Sequence, residues 1–146
     1  MRSVVSELHP SVLEHVGLAG AVRAAAHAAG ERGGLSVDVH CEEGLRHPQE
    51  QLVFTAAREL LTNVVKHAAA RHVTVRLTGH AGGLRLEITD DGRGIKPASA
   101  ERAPAAGHIG LASQRIRIES AGGTLTLTPA TPCGTRALVD LPPPAL

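Results

Sequence analysis

Glu59, Asn63 and Lys66 stand at i, i+4 and i+7. At about 100° per residue they fall within roughly 60° of one face of a helix. A carboxylate, an amide and an ammonium in a row over about 10 Å can hold a base, a metal-bound phosphate and a counter-charge. The same spacing also describes an ordinary solvated helix face. Further along, Thr89-Asp90-Asp91-Gly92-Arg93-Gly94-Ile95 places a carboxylate at a strand end and two glycines just after it. Glycine there permits positive φ and close backbone approach to a ligand, while the carboxylate can accept from an exocyclic amine; a plain tight turn would use the same residues. Gly107-His108-Ile109-Gly110-Leu111 opens a predicted helix, whose free N–H groups either bind an anion or are capped locally. Gly134-Thr135 opens the last strand, where a hydroxyl can reach a phosphate. Two common phosphate loops are excluded: there is no GxxxxGK(S/T), and a GxGxxG begun at Gly92 has Pro97 where its third glycine belongs.

The elements that must carry these residues are legible in the apolar periodicity. Leu18, Ala21, Val22, Ala25 and Ala29 follow a helical rule from Gly17, with Gly30, Gly33 and Gly34 as stop signals. Leu35, Val37 and Val39 alternate as a half-buried strand does. A second helix is predicted from Pro48, a residue suited to a first turn, to about Ala69, with Leu52, Ala56, Leu60 and Val64 beside Val53, Ala57 and Leu61 on its core face. Val73, Val75, Leu77 and Leu84, Leu86, Ile88 read as a hairpin joined through Gly79 to Gly83. The aperiodic stretch from Lys96 to Ala106, with Pro97 and Pro104, predicts a mobile loop. A third helix over Ile109 to Ala121 and strands over Thr124 to Thr128 and Thr135 to Leu141 complete the chain.

Composition narrows the class. The 146 residues carry 15 basic and 14 acidic side chains and are 42% hydrophobic, which suits one globular domain with its own core. Phe54 is the one aromatic residue, so the core is aliphatic. Balanced charge and the absence of Trp and Tyr argue against a nucleic-acid partner. Cys41 and Cys133 show no metal-ligand spacing and read as buried small apolar residues. The nine histidines show no HExxH or HxH spacing and are assigned mostly to solvated faces. No apolar run approaches the roughly 18 residues of a membrane span and no signal-peptide order is present, so a cytoplasmic location is expected.

Taken in order, the four chemical elements resemble the nucleotide-binding domain of sensor histidine kinases. Glu59-Leu60-Leu61-Thr62-Asn63-Val64-Val65-Lys66-His67-Ala68 is similar to the N-box, Asp90 to Gly94 to the DxGxG box, Gly107 to Leu111 to the second glycine box, and Gly134-Thr135 to the closing GT motif. Ser6-Glu7-Leu8-His9-Pro10 resembles the end of the helical dimerisation region, so residues 1–10 are expected to be its remnant and 11–146 the ATPase domain. The subfamily it resembles pairs with helix-turn-helix response regulators.

The resemblance implies an α/β chain with the Bergerat ATPase fold, an α+β two-layer sandwich whose mixed, mostly antiparallel sheet has helices on one face. It implies ATP and Mg²⁺ as cofactors, with Asn63 on the metal, Glu59 as catalytic base and Lys66 on phosphate. Asp90 would accept from the adenine amine, Gly92 and Gly94 would let the backbone pass the base beside Ile95, and His67 would border the adenine. Gly107, His108, Gly110 and Leu111 would close on the triphosphate, Thr135 would line the nucleotide, and the Lys96 to Ala106 loop would act as a lid. His108-Ile109 departs from the plain GxGL of many relatives.

The implied partner is a separate dimerisation domain bearing the phosphoacceptor histidine, with a response regulator engaged through the full-length kinase; His9 sits at the wrong end of that region to be the acceptor. The chain itself is expected to be monomeric. Two other readings are another Bergerat ATPase, such as an anti-sigma serine kinase, and a silent nucleotide-binding module. His9-Pro10 favours the histidine kinase over the first, and the complete Glu59 and Asn63 pair speaks against the second.

Overall fold

The computed structural model describes residues 11–45, 47–68, 70–92, 108–130 and 133–143. The elements run α1 (Ser11–Gly33), β1 (Ser36–Cys41), α2 (Glu50–Asn63) continued by a π-helical turn (Val64–Ala68), β2 (His72–His80), β3 (Gly83–Asp90), α3 (His108–Ser120), β4 (Thr124–Pro129) and β5 (Thr135–Leu141). The strands form one sheet in the order β1-β2-β3-β5-β4. Among the described residues β1 and β2 pair in parallel and the other three pairings are antiparallel.

One face of the sheet is covered. Val73, Val75, Leu77, Leu84, Leu86, Ile88, Ala137, Val139 and Leu141 alternate onto it and are buried with Leu18, Val22, Val53, Leu60, Leu61 and Ile118 from the helices. The alternate strand positions are exposed, as at Arg76, Arg85, Thr126 and Thr128, or partly exposed, as expected for an antiparallel sheet solvated on one side. α1 packs on α2 and β1, and α3 packs on α2 and β4. This is the expected two-layer sandwich, with a mixed and mostly antiparallel sheet.

Several boundaries differ from the periodic reading for identifiable reasons. Two helical segments of α1 meet at Gly17, whose φ of 75° and ψ of 171° are not helical, so the regular helix does start there. It runs through Gly30 and stops at Gly33, because Gly34 takes a φ of 66° and the Leu35 N–H bonds back to the Gly30 carbonyl at 3.0 Å, the six-to-one bond of a Schellman cap. Pro48 stands just before the cap residue Gln49 rather than in the first turn of α2. The hairpin is tighter than its glycines suggest: His80 pairs with Gly83, leaving Ala81 (φ 52°) and Gly82 (φ 89°) as a two-residue turn.

Neither cysteine is fully buried. Cys41 is half-buried, which pushes its thiol pKa up despite the opposing charge of Arg23. Cys133 is exposed because it lies in the short connection into β5, and its thiol donates to the Asp91 carbonyl at 3.3 Å. His47 departs from the solvated reading as well: it is buried, accepts from the Gln49 N–H at Nδ1 (2.9 Å) and meets the Pro142 carbonyl at Nε2 (2.8 Å). No helix among the described residues is long and apolar enough to cross a membrane.

Candidate functional site

β3 and β5 bring together two motifs 44 positions apart in number, Asp90 and Gly134. Asp90 ends β3 with its side chain on the covered face, only 6% exposed. Its Oδ1 accepts from the Gly92 N–H at 2.8 Å, two residues on. Burial raises its pKa above the ordinary carboxylate range, and the backbone N–H groups of Gly92 and Thr135 pull it partly back. An ionised carboxylate offers about four lone-pair positions, so these two N–H groups leave acceptor capacity for a ligand donor.

Thr135 is buried beside Asp90. Its backbone N–H bonds the carboxylate, a contact that spacing alone does not reveal. Gly134 adopts a φ of 101°, and a Cβ there would lie 1.8 Å from the Asp90 carbonyl oxygen. The glycine is thus required where the connection into β5 touches the end of β3, a role that sequence spacing alone does not announce.

Asp90 has a linkage consequence. The folded protein holds its proton more tightly than the unfolded chain, so the group's contribution to stability is complete below the ordinary carboxylate range and is lost as pH rises through the raised folded value. Removing the charge should therefore not destabilise the protein at neutral pH. Asp90→Asn is expected to unfold in urea at a midpoint equal to or above that of the parent at pH 7, a property of residues kept for binding rather than for stability.

Glu59 and Asn63 lie on α2 one turn apart, as predicted. Glu59 is half-buried and borders a groove of about 310 Å³ with Gln51, Phe54, Thr55, Arg58 and Thr62. Within it the Arg58 guanidinium sits over the Phe54 ring, 6.0 Å from the centroid. The Asn63 Nδ2 is buried and has no hydrogen-bond partner among the described residues. An amide N–H₂ in that state fits an acceptor such as a phosphate oxygen, and rotation about its last torsion presents the oxygen to a hard cation.

Lys66 does not continue the α-helical stripe. Immediately after Asn63 the helix widens into the π turn Val64–Ala68, so Lys66 and His67 leave the phase that an unbroken α-helix to Ala69 would give them. π turns inside helices recur at functional sites. Lys66 is exposed. His108, Gly110 and Leu111 open α3 as expected, at the helix end where anions are favoured. Gly94, Ile95, Gly107 and the Lys96 to Ala106 loop lie outside the described residues, as do residues 1–10 and with them His9. Asp91 was not singled out by spacing; its carboxylate binds the backbone of Arg71 and His72, and no local pattern reveals a partner twenty positions away.

Comparison with known proteins agrees with this arrangement. Residues 48–145 match the family of histidine kinase-, DNA gyrase B- and HSP90-like ATPases. The sensor histidine kinase NarS of Mycobacterium tuberculosis is 41% identical over 142 residues, covering 97% of this chain and 33% of its own. Among solved structures, the blue-light activated histidine kinase of Erythrobacter litoralis EL346 superposes with a TM-score of 0.69 at 26% identity, over 86% of this chain and 41% of that one. The catalytic domain of histidine kinase ThkA has the same fold, with a TM-score of 0.71 at 17% identity over 87% of this chain and 93% of that one. The chain spans about a third of the length of the curated relatives it matches.

Proposed function

The chain belongs to the family of histidine kinase-, DNA gyrase B- and HSP90-like ATPases, and from that premise we propose that it binds Mg²⁺-ATP and transfers the γ-phosphoryl group to a histidine on a dimerisation domain of the same sensor kinase. The observation that carries the reading is the buried Asp90 carboxylate, held by Gly92 and Thr135 with acceptor capacity to spare. Its relatives support the direction of transfer: NarS and YxjM are named as sensor histidine kinases and UhpB as a signal transduction histidine-protein kinase/phosphatase. That favours the histidine acceptor over the serine of the alternative reading, and the response regulator follows as the partner of the whole kinase.

When bound, ATP would supply the phosphoryl group and Mg²⁺ the charge neutralisation of its oxygens. The protein's own tasks are positioning and electrostatics, which dominate phosphoryl transfer. Asp90 accepts from the exocyclic amine of the base, selecting adenine over a base that presents a carbonyl there. Gly92 and Thr135 hold that carboxylate in one orientation. Asn63 offers its amide to the metal or to a phosphate oxygen, and Lys66 with the first turn of α3 supplies positive potential for the triphosphate. Glu59, one turn before Asn63, takes the proton-accepting role toward the incoming imidazole.

The test is calorimetry of the purified chain with ATP and Mg²⁺. Asp90→Ala and Asp90→Asn are expected to weaken binding by about 1.5 to 3 kcal/mol, the scale of a hydrogen bond to a charged group left unmade. Affinity should also decline as pH falls through the raised Asp90 value, since the protonated carboxyl is the weaker acceptor. Affinity unchanged in both variants would refute the adenine assignment.

Asn63→Ala separates the metal from the base. It is expected to keep much of the affinity measured in EDTA while losing most of the increment that Mg²⁺ confers, because an oxygen ligand suited to a hard cation has been removed. An increment equal to that of the parent would take Asn63 off the metal.

A further inference from the structure

Asp91 follows the last residue of β3 with its side chain exposed, yet it joins three segments of the chain. Its Oδ1 accepts from the backbone N–H of both Arg71 (2.9 Å) and His72 (3.0 Å). Its own N–H donates to the His72 carbonyl at 3.2 Å, one step beyond the Val73 to Asp90 register pair. On its other side, the Asp91 carbonyl accepts from the Cys133 thiol, and Gly134 lies so close that a Cβ there would come within 2.9 Å of the Asp91 Cα.

The segment that Asp91 grips is the exit from the nucleotide helix. Arg71 comes three positions after Ala68, the end of the π turn that carries Lys66 and His67. The same segment is fastened from β1, where the Ser36 N–H donates to the Arg71 carbonyl at 2.9 Å and the His72 ring meets Asp38 at 2.9 Å. The two N–H groups from Arg71 and His72 hold the Asp91 carboxyl below the ordinary carboxylate range, so it grips as an anion, the stronger form of acceptor. A carboxylate aimed at backbone, away from any task in base or phosphate binding, is in the right place to set the distance between those two halves.

We propose that Asp91 is a positioning residue for the nucleotide site, fixing the turn that bears Lys66 to the strand end that bears Asp90 so that phosphate and base contacts are offered by one frame. The proposal rests on the ATP-binding reading above. Its physical content is preorganisation. A ligand that touches both halves gains from their fixed separation, whereas a ligand that touches one half does not.

The experiment compares Mg²⁺-ATP with adenosine by calorimetry on the full chain. Asp91→Ala is expected to weaken ATP binding about ten- to a hundredfold, the scale of losing an outer partner that orients a ligand group, while adenosine affinity changes less than about twofold. Asp91→Asn keeps an oxygen at Oδ1, a weaker acceptor than the anion, and should recover a large part of the ATP affinity that Asp91→Ala loses. Amide hydrogen exchange supplies a readout independent of ligand: Arg71 and His72 should exchange faster in Asp91→Ala and regain protection in Asp91→Asn. If Asp91→Ala fails to fold, Asp91→Glu displaces the carboxylate by one methylene and should show the same ATP-selective loss.

Parent-like ATP affinity in Asp91→Ala would overturn the proposal, as would equal losses for ATP and adenosine, which indicate general loosening. Failure of Asp91→Asn to recover a large part of that affinity would overturn it too, since the charge would then matter beyond the two backbone bonds. Asp90→Asn run alongside separates the levels. Loss of ATP in Asp90→Asn with no loss in Asp91→Ala removes the positioning role alone, whereas parent-like affinity in Asp90→Asn removes the adenine reading and the positioning role with it.

Discussion

Gly134→Ala is expected to lower the stability of the protein by about 3 kcal/mol or more and to abolish measurable nucleotide binding with it. Two penalties act together. A φ of 101° is strained for any L side chain, which costs about 1 to 3 kcal/mol on its own. The added Cβ would also lie 1.8 Å from the Asp90 carbonyl oxygen and 2.7 Å from its carbonyl carbon. Those atoms are backbone at the end of β3, next to β5, and they cannot swing aside as a side chain would. Relief requires the end of β3 to part from the connection into β5, and that carries away the Asp90 carboxylate with its Thr135 N–H.

Gly44→Ala is the matched control, because Gly44 also has a positive φ, 78°, but a Cβ there meets nothing within 4 Å. Its cost should be limited to φ strain, near 1 kcal/mol. Urea unfolding of the two variants reads the difference. Equal shifts in midpoint would mean that the contact between Gly134 and Asp90 contributes nothing.

The contrast between these glycines marks what the sequence carries. Helix and strand identities followed from side-chain periods: the spacing of Leu18, Val22 and Ala29, or of Val73, Val75 and Leu77, is set by burial on one face, and the same residues are buried in the structure. The residues proposed for the chemistry, Glu59, Asn63 and Asp90, were also visible, as polar groups at fixed offsets from those apolar stripes. A widened turn leaves no such trace. The π geometry of Val64–Ala68 changes the phase of Lys66 and His67 without changing which residues are apolar. Contacts between distant backbones are equally silent: Asp91 bonding to Arg71 and His72, and Gly134 touching Asp90, depend on strand register. Cys133 fails for a related reason, since a small residue is placed by the loop it occupies rather than by its own hydrophobicity.

Glu59→Gln should leave ATP affinity within about twofold of the parent and slow phosphoryl transfer by roughly 10²- to 10⁴-fold, the range for removing a positioned general base. The substitution keeps the shape of the side chain and the α2 backbone while removing the proton acceptor. In the proposed site Asn63, one turn further on, would still address the metal or phosphate and Asp90 the base from another element, so binding has no reason to fall. Glu59 is half-buried at the edge of the groove formed with Gln51, Phe54, Thr55, Arg58 and Thr62, where a side chain from a second domain can reach it. Its place there matters only once an acceptor imidazole is present, so the effect must appear in transfer and not in binding. The measurement joins the chain to its dimerisation helices and follows acid-labile label from γ-labelled ATP in single-turnover conditions. A variant that transferred at the parent rate would remove Glu59 from the chemistry and leave positioning and charge to account for the whole acceleration. A variant that lost ATP affinity but transferred at the parent rate once saturated would instead make Glu59 part of the nucleotide's binding shell, since an interaction present equally before and in the transition state sets affinity and not the saturated rate.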